Sequence, residues 1–281
     1  MGDSELLVDL EARAALEALE GADLETSDVD LLLSFSLIPD HIGIPSACPL
    51  HHRLGLPASC FSMNVDASCN SFQTQLAIAE AMISSGRARR ALLVQSSAIW
   101  RTNDPELPLS VHFGDGATAV VVGVVSAGRG LISRAHRTDG SVHRALVCTV
   151  EGKNWWEDGP VKTATPDRAA TRRMVMMGAG CASDVVGEVF EDSGMKASDV
   201  DFLACHQPTA WFQGMIVEHL GLEEAATVDI YRSVGTLSAA NLPLILQVAQ
   251  RDGLLGNDHL VLMYQIGSGI TYSASLLRWG R

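Results

Sequence analysis

What this chain has little of narrows the field first. Its apolar runs reach only about ten residues, short of the roughly 20 that a membrane-spanning helix needs. Basic residues are few: 20 Lys+Arg against 33 Asp+Glu leave a formal charge of −13, which argues against a nucleic-acid partner. None of the six cysteines, at 48, 60, 69, 148, 181 and 205, belongs to a CxxC pair. Neither a disulfide framework nor a metal ligand set is indicated, and a cytoplasmic protein with mostly buried thiols is expected. The start of the chain lacks the basic segment and unbroken apolar run of a signal peptide, and Leu6 stands where a myristoylation signal on Gly2 prefers Ser or Thr. Aromatic residues, at 5%, are too few to outline a pocket.

Apolar residues make up 47% and charged residues 19%, enough for one large core or two fused ones, and too apolar for a disordered chain. Residues 5–20 place Leu6, Leu7, Leu10, Ala14, Leu16 and Leu19 at helical spacing, and Ser27-Asp28-Val29-Asp30 then leads into the buried-strand pattern LLLSFS. Residues 182–194 repeat the helical spacing, and Ser198-Asp199-Val200-Asp201 leads into FLAC. The echo continues after each copy. Val65-Asp66 precedes a small-residue turn, the helix SFQTQLAIAEAMISSG and the strand ALLVQSS; Val228-Asp229 precedes a turn, the helix ANLPLILQVAQRDG and the strand HLVLMYQIG. Four elements in matching order indicate an internal duplication.

Strands alternating with helices imply mainly parallel sheets buried on both faces. The expected fold is therefore an α/β body of five layers, α/β/α/β/α. It divides into a first half at 1–136, a Gly-, Trp- and Pro-rich insertion at 137–172, and a second half at 173–281.

Cys69 follows a short strand and opens a helix, where unpaired N–H groups and the helix dipole favour a thiolate able to attack a thioester or ester carbonyl. The other five cysteines read as buried small hydrophobes. His206 ends the strand FLAC before Gln207-Pro208, and ligands gather beyond the carboxyl ends of such strands. His51, His52, His136, His143 and His259 read as residues of polar turns, and His112 in VHFGDG as structural. Gly267-Ser268-Gly269 offers unobstructed backbone N–H groups, suited to an oxyanion hole if the turn faces the cysteine; it also reads as an ordinary hairpin.

Together DASCNSF around Cys69, FGDGATAVVV at 113–122, HQP at 206–208 and IGSGITYSASLLRW at the end resemble the ketoacyl synthase III family of thiolase-fold enzymes. The resemblance runs from about residue 5 to Arg281. It implies that Cys69 takes an acyl group from a coenzyme A or acyl carrier protein thioester, with no other cofactor and no metal. His206 would act in the second half-reaction, and the backbone N–H groups of Cys69 and Ser268 would hold the thioester oxygen. Gly114, Asp115 and Gly116 would support the site. Ile44 would reach into a partner subunit's acyl pocket, which implies a homodimer, and Trp211 and Asn241 would line the substrate pocket.

Three departures qualify that picture. The family's GNTSAAS reads here Gly235-Thr236-Leu237-Ser238-Ala239-Ala240-Asn241, so Thr236 occupies the catalytic position of an asparagine that binds, with the histidine, the enolate formed when malonyl loses CO2. Asn241 is expected inside the following helix, unable to substitute. Losing such a donor costs roughly 100–1000-fold in rate, so simple acyl transfer to a carrier, sugar or amine, as in polyketide or secondary-metabolite synthesis, is favoured over decarboxylative condensation. Second, Trp211, Glu218 and His219 replace basic carrier-docking residues; Arg87, Arg89 and Arg90 could serve instead or form a solvated turn. Third, the family's first strand and part of its coenzyme A clamp are missing from the sequence as it stands, which implies either a truncated sequence or a coenzyme A site built differently. A starter-unit condensing enzyme and a non-catalytic thiolase-fold partner remain the alternatives.

Overall fold

The two SDVD tetrapeptides build the same turn. The Glu25 N–H donates to Asp28 Oδ2 and the Lys196 N–H to Asp199 Oδ2, both at 3.0 Å, closing one turn of 3-10 helix each time. The next aspartate then clamps two strands in register. Asp30 Oδ2 accepts the Arg89 and Arg90 N–H groups, and Asp201 Oδ2 accepts the Leu260 N–H at 2.7 Å.

A computed structural model describes residues 5–280; the Met1-Gly2 motif lies outside them. The first half comprises α1 (Leu7–Gly21), β1 (Leu31–Leu37), α2 (Ala47–Leu54), β2 (Phe61–Asn64), α3 (Ser71–Ser84), β3 (Arg90–Ser97) and β4 (Gly116–Gly123). Then follow β5 (Gly130–Thr138), β6 (Val147–Val150), β7 (Val161–Ala164), α4 (Arg168–Ser193), β8 (Phe202–Cys205), α5 (Phe212–Leu220), α6 (Tyr231–Val234), α7 (Asn241–Arg251), β9 (Leu260–Gly267) and β10 (Thr271–Arg278). One sheet has the order β2-β1-β3-β4, with β2 and β3 parallel to β1 and β4 antiparallel to β3. The other has the order β5-β10-β9-β8, with β8 parallel to β9. A parallel bridge from Phe202 to Ala226 stands where β2 stands in the first sheet.

Side-chain alternation along the buried strands assigns the layers. Leu31 and Leu33 of β1 pack with Phe202 and Ala204 of β8, Phe72 of α3 and Leu242 and Ile245 of α7. This central layer puts α3 and α7 between the sheets. Leu32 points the other way, onto Ala15 and Leu19 of α1 and Leu50 of α2. Leu203 and Cys205 likewise face Val185 and Val189 of α4 and Ile216 of α5. Leu31, Leu32 and Leu33 are all fully buried, worth about 1.5–3 kcal/mol each. The result is the five-layered α/β/α/β/α body expected.

Two details depart from the expected division. The boundary at 136/137 falls inside β5, which pairs with β10 of the second sheet, not with β4. The boundary at 172/173 falls inside α4, which begins at Arg168 under an Asp167 cap and runs 26 residues. The glycines, tryptophans and prolines between them concealed a small hairpin, β6–β7. Among the described residues, no helix is long and apolar enough to cross a membrane, and no His/Cys/Asp/Glu cluster could hold a metal ion.

Candidate active site

Cys69 sits in the middle of a three-residue 3-10 turn, Ser68–Asn70, that joins β2 to α3. Asp66 Oδ1 accepts the Ser68 N–H at 2.8 Å, and Ser71 Oγ accepts the Ala67 N–H at 2.9 Å, so the turn is held from both sides. The second half brings two elements to it. Gly267, at the end of β9, lies so close that a Cβ there would meet the Ala67 carbonyl oxygen at 2.6 Å and the Cys69 nitrogen at 3.1 Å. Ser238 Oγ donates to the Cys69 sulfur at 3.3 Å.

Burial pushes the Cys69 thiol above its ordinary range; the Ser238 and Ser68 hydroxyls and the backbone N–H groups of Ser268 and Cys69 act against that rise. The expectation that a helix N-terminus would favour the thiolate is therefore corrected. Desolvation outweighs the local donors at the Cys69 thiol. The glycine-flanked turn at 267–269 faces the cysteine, and it is also the β9–β10 hairpin.

His206 follows β8 directly, is 2% exposed, and donates its backbone N–H to the Tyr264 carbonyl at 2.9 Å. Gln207 locks the chain behind it. Its Nε2 donates to the Val228 carbonyl at 2.6 Å, and its Oε1 accepts the Ile230 and Tyr231 N–H groups, both at 3.0 Å. Burial lowers the His206 ring to about 4; the Asn241 carboxamide beside it pulls the other way. The ring is neutral at physiological pH.

Thr236 and Asn241 meet in the second turn, Ser238–Ala240, which leads into α7. Thr236 Oγ1 donates to Asn241 Oδ1 at 3.0 Å, and the Leu237 N–H donates to the same oxygen at 3.1 Å. Asn241 is thus the first residue of α7 and borders His206, rather than being carried away inside the helix. The FGDG segment holds this turn as the structural support it was expected to be. The Thr236 N–H donates to the His112 carbonyl at 2.7 Å, and the Gly114 N–H donates to the Thr236 carbonyl at 3.0 Å. His112 also pairs its Nδ1 with the Tyr231 hydroxyl.

Other candidate residues lie elsewhere. Ile44 is half exposed and lines a shallow hollow with Glu11, Ser36 and Asp40. Trp211 is half exposed at the start of α5, with its ring 6.1 Å from that of Phe212. Arg89 and Arg90 are engaged by Asp30 and Asp28, at 3.8 and 2.9 Å. His51 and His52 lie in α2 and His136 in β5, not in turns, because helix and strand continue through those polar stretches. Cys48 is exposed, while Cys60, Cys181 and Cys205 are buried. In the sequence Ser238 and Gln207 stand only as motif neighbours, with no role of their own. The parallel between Ser68 and Ser238, each opening the turn at positive φ (54° and 57°), was the available signal for the first.

Comparisons with known proteins agree with this geometry. Residues 63–140 match the family described as 3-Oxoacyl-[acyl-carrier-protein (ACP)] synthase III, and residues 190–279 match that family's C-terminal region. The chain is 33% identical to the beta-ketoacyl-[acyl-carrier-protein] synthase III of Allorhizobium ampelinum, over 99% of this chain and 86% of that protein. It is 31% identical to the enzyme of that name from Thiobacillus denitrificans, over 99% and 85%. Among solved structures, the 3-oxoacyl-[acyl-carrier-protein] synthase III of Aquifex aeolicus superposes with a TM-score of 0.86 at 27% identity, covering 99% of this chain and 86% of that one. Fold, nucleophile turn and sequence kinship converge: this chain belongs to the 3-oxoacyl-[acyl-carrier-protein] synthase III family of thiolase-fold condensing enzymes.

Proposed function

We propose that this protein is a starter-unit condensing enzyme, in which Cys69 takes an acyl group from an acyl-coenzyme A or acyl-carrier thioester and joins it to a malonyl-type carbon acceptor. In loading, the Cys69 sulfur attacks the thioester carbonyl, the donor thiolate leaves, and the proton of Cys69 passes to that leaving group. The N–H groups of Ser268 and Cys69, which already surround the sulfur, take the carbonyl oxygen as it gains charge.

A single observation favours a carbon acceptor over an oxygen or nitrogen one: His206 is buried and neutral, its ring lowered by burial to about 4. An imidazole so disposed is a weak base toward an O–H or N–H acceptor. It is well suited to donating a ring N–H to an enolate oxygen, which asks for no proton transfer. The contrary reading, simple acyl transfer in secondary metabolism, rests on Thr236 standing where the family has asparagine. Action as a homodimer in the cytoplasm fits the family kinship and belongs to the same proposal.

Intact mass after incubation with a panel of acyl-coenzyme A and acyl-carrier thioesters tests the loading half, with Cys69→Ala as control. Adding malonyl-carrier then tests the second half, where CO2 and a 3-ketoacyl product are expected. Loading followed by transfer to hydroxyl or amine acceptors, with no CO2 released, would establish the contrary reading.

A further inference from the structure

The duplication allows the two reactive turns to be compared atom by atom. In the first half a serine at positive φ opens a 3-10 turn and α3 begins at Ser71, whose Oγ accepts the N–H four residues back, from Ala67, at 2.9 Å. In the second half a serine at positive φ opens the equivalent turn and α7 begins at Asn241, whose Oδ1 accepts the N–H four residues back, from Leu237, at 3.1 Å. Closing such a turn therefore asks for one acceptor, and a serine suffices. Asn241 supplies the acceptor and carries an amide NH2 in addition.

The orientation of that amide follows from chemistry. A backbone N–H can only donate, so Oδ1 must face Leu237 and Nδ2 must face away. The Thr236 hydroxyl, donating to the same Oδ1 at 3.0 Å, adds a second lock. Asn241 is fully buried, and its Nδ2 has no hydrogen-bond partner; the neighbouring His206 ring likewise leaves Nδ1 unpartnered. A buried donor without an acceptor is costly, and the first half avoids that cost by using serine. The carboxamide that borders His206 thus carries an unspent donor.

We infer that Asn241 Nδ2 is a catalytic donor to the acceptor's thioester oxygen, acting with the ring N–H of His206, and that Thr236 is the positioning residue that fixes its direction. The inference rests on the condensing reading above. In that step the bond between the malonyl carboxylate and its α-carbon breaks, CO2 leaves, and the electron pair moves onto the acceptor as an enolate. Asn241 and His206 hold the enolate oxygen. The α-carbon attacks the acyl carbonyl on Cys69, the carbon–sulfur bond breaks, and the released thiolate takes a proton from solvent. The carboxamide thus comes from the start of α7 rather than from the residue after Gly235, where Thr236 serves as its clamp.

The test measures loading and condensation separately on the full-length enzyme, using acetyl-coenzyme A and malonyl-carrier as probes, for Asn241→Ser, Asn241→Asp and Thr236→Val. Asn241→Ser keeps the turn acceptor that Ser71 already provides opposite; Asn241→Asp keeps Oδ1 and removes only the NH2. Both should lower 3-ketoacyl formation about 100-fold, with the loss falling on condensation and not on the Cys69 adduct. Thr236→Val should lower it about tenfold, since the amide keeps only its Leu237 lock. The double variant Thr236→Asn, Asn241→Ser, which returns a carboxamide to the position after Gly235, should recover at least part of the loss. Condensation within threefold of wild type in either Asn241 variant overturns the inference. So does an equal loss of loading and condensation in both, or unfolding of both, since each would mark a merely structural residue. A wild-type enzyme that loads Cys69 but never condenses overturns the condensing reading itself, which keeps the two failures apart.

Discussion

Ser238 donates its hydroxyl to the sulfur of Cys69 at 3.3 Å, from the opposite half of the molecule and 169 residues away in sequence. The thiol of the first turn is thus hydrogen-bonded by the second. Replacing Ser238 with alanine removes a donor that favours the thiolate, so the thiol should rise further. Alkylation of Cys69 by iodoacetamide at pH 8 should slow by about tenfold, consistent with the ~1.5–3 kcal/mol of a hydrogen bond to a charged group. A rate unchanged from wild type would show that the contact does not reach the ionised sulfur.

In the proposed condensation, the state of His206 bears on the acid side of the pH profile. Its ordinary value near 6.5 is lowered by burial to about 4, so the ring stays neutral as pH falls from 8 to 5. Condensation followed at saturating substrate should show no loss with a midpoint near 6.5. For stability the sign is also fixed: the unfolded chain binds the proton between about 6.5 and 4 while the native ring does not. Stability from this group is full above pH 6.5 and declines as pH falls through that window. A kcat limb near 6.5 that disappears on changing His206 would contradict the burial.

Glu11 behaves in the opposite sense. It is 1% exposed, and burial raises it from 4.5 to about 7, against the Ser36 and Ser96 hydroxyls that donate to its Oε1 at 2.6 and 2.5 Å. The native state holds this proton where the unfolded chain has released it, so stability falls as pH rises from about 4.5 to about 7. Glu11→Gln keeps an acceptor for both serines and carries no titrating proton. It should gain roughly 3 kcal/mol over wild type between pH 5 and 8, read as a flatter denaturant-midpoint profile. Parallel profiles for the two proteins would refute the claim.

Gly267 is needed for its missing side chain. A Cβ there would meet the Ala67 carbonyl oxygen at 2.6 Å and the Asn70 nitrogen at 2.9 Å, both backbone atoms of the nucleophile turn. Gly267→Ala should therefore displace the turn and slow acylation of Cys69 by at least tenfold, while costing about 1–3 kcal/mol of stability. Wild-type acylation in a folded Gly267→Ala protein would mean that the turn tolerates the shift.

The fold was legible in the sequence because its strands are short, apolar and repeated. LLLSFS, ALLVQSS, FLAC and HLVLMYQIG all appear as buried strands, and the two SDVD turns appear where they bracket them. The stretch around α4 was harder. Residues 168–181 are rich in arginine, methionine and glycine, with no clear apolar stripe, and the α4 they open packs onto β5 and β10. At the site, Cys69 and His206 were singled out by where strands end. Asn241 was misplaced because counting five residues from Thr236 suggests a helix interior, whereas the 3-10 turn uses those residues to bring the chain back to the helix start. The state of Cys69 was misjudged because a helix terminus is visible in sequence and desolvation is not.

Two equivalent turns, one ending in Ser71 and the other in Asn241, also divide the labour of the molecule. In the proposed reaction, capture of the donor's acyl group falls to the first turn and the strand end facing it. In the same proposal, the choice of a carbon acceptor over an oxygen or nitrogen one falls to a few residues of the second. The symmetric body supplies both with the same backbone, so one turn can be rewritten while the other keeps its trade.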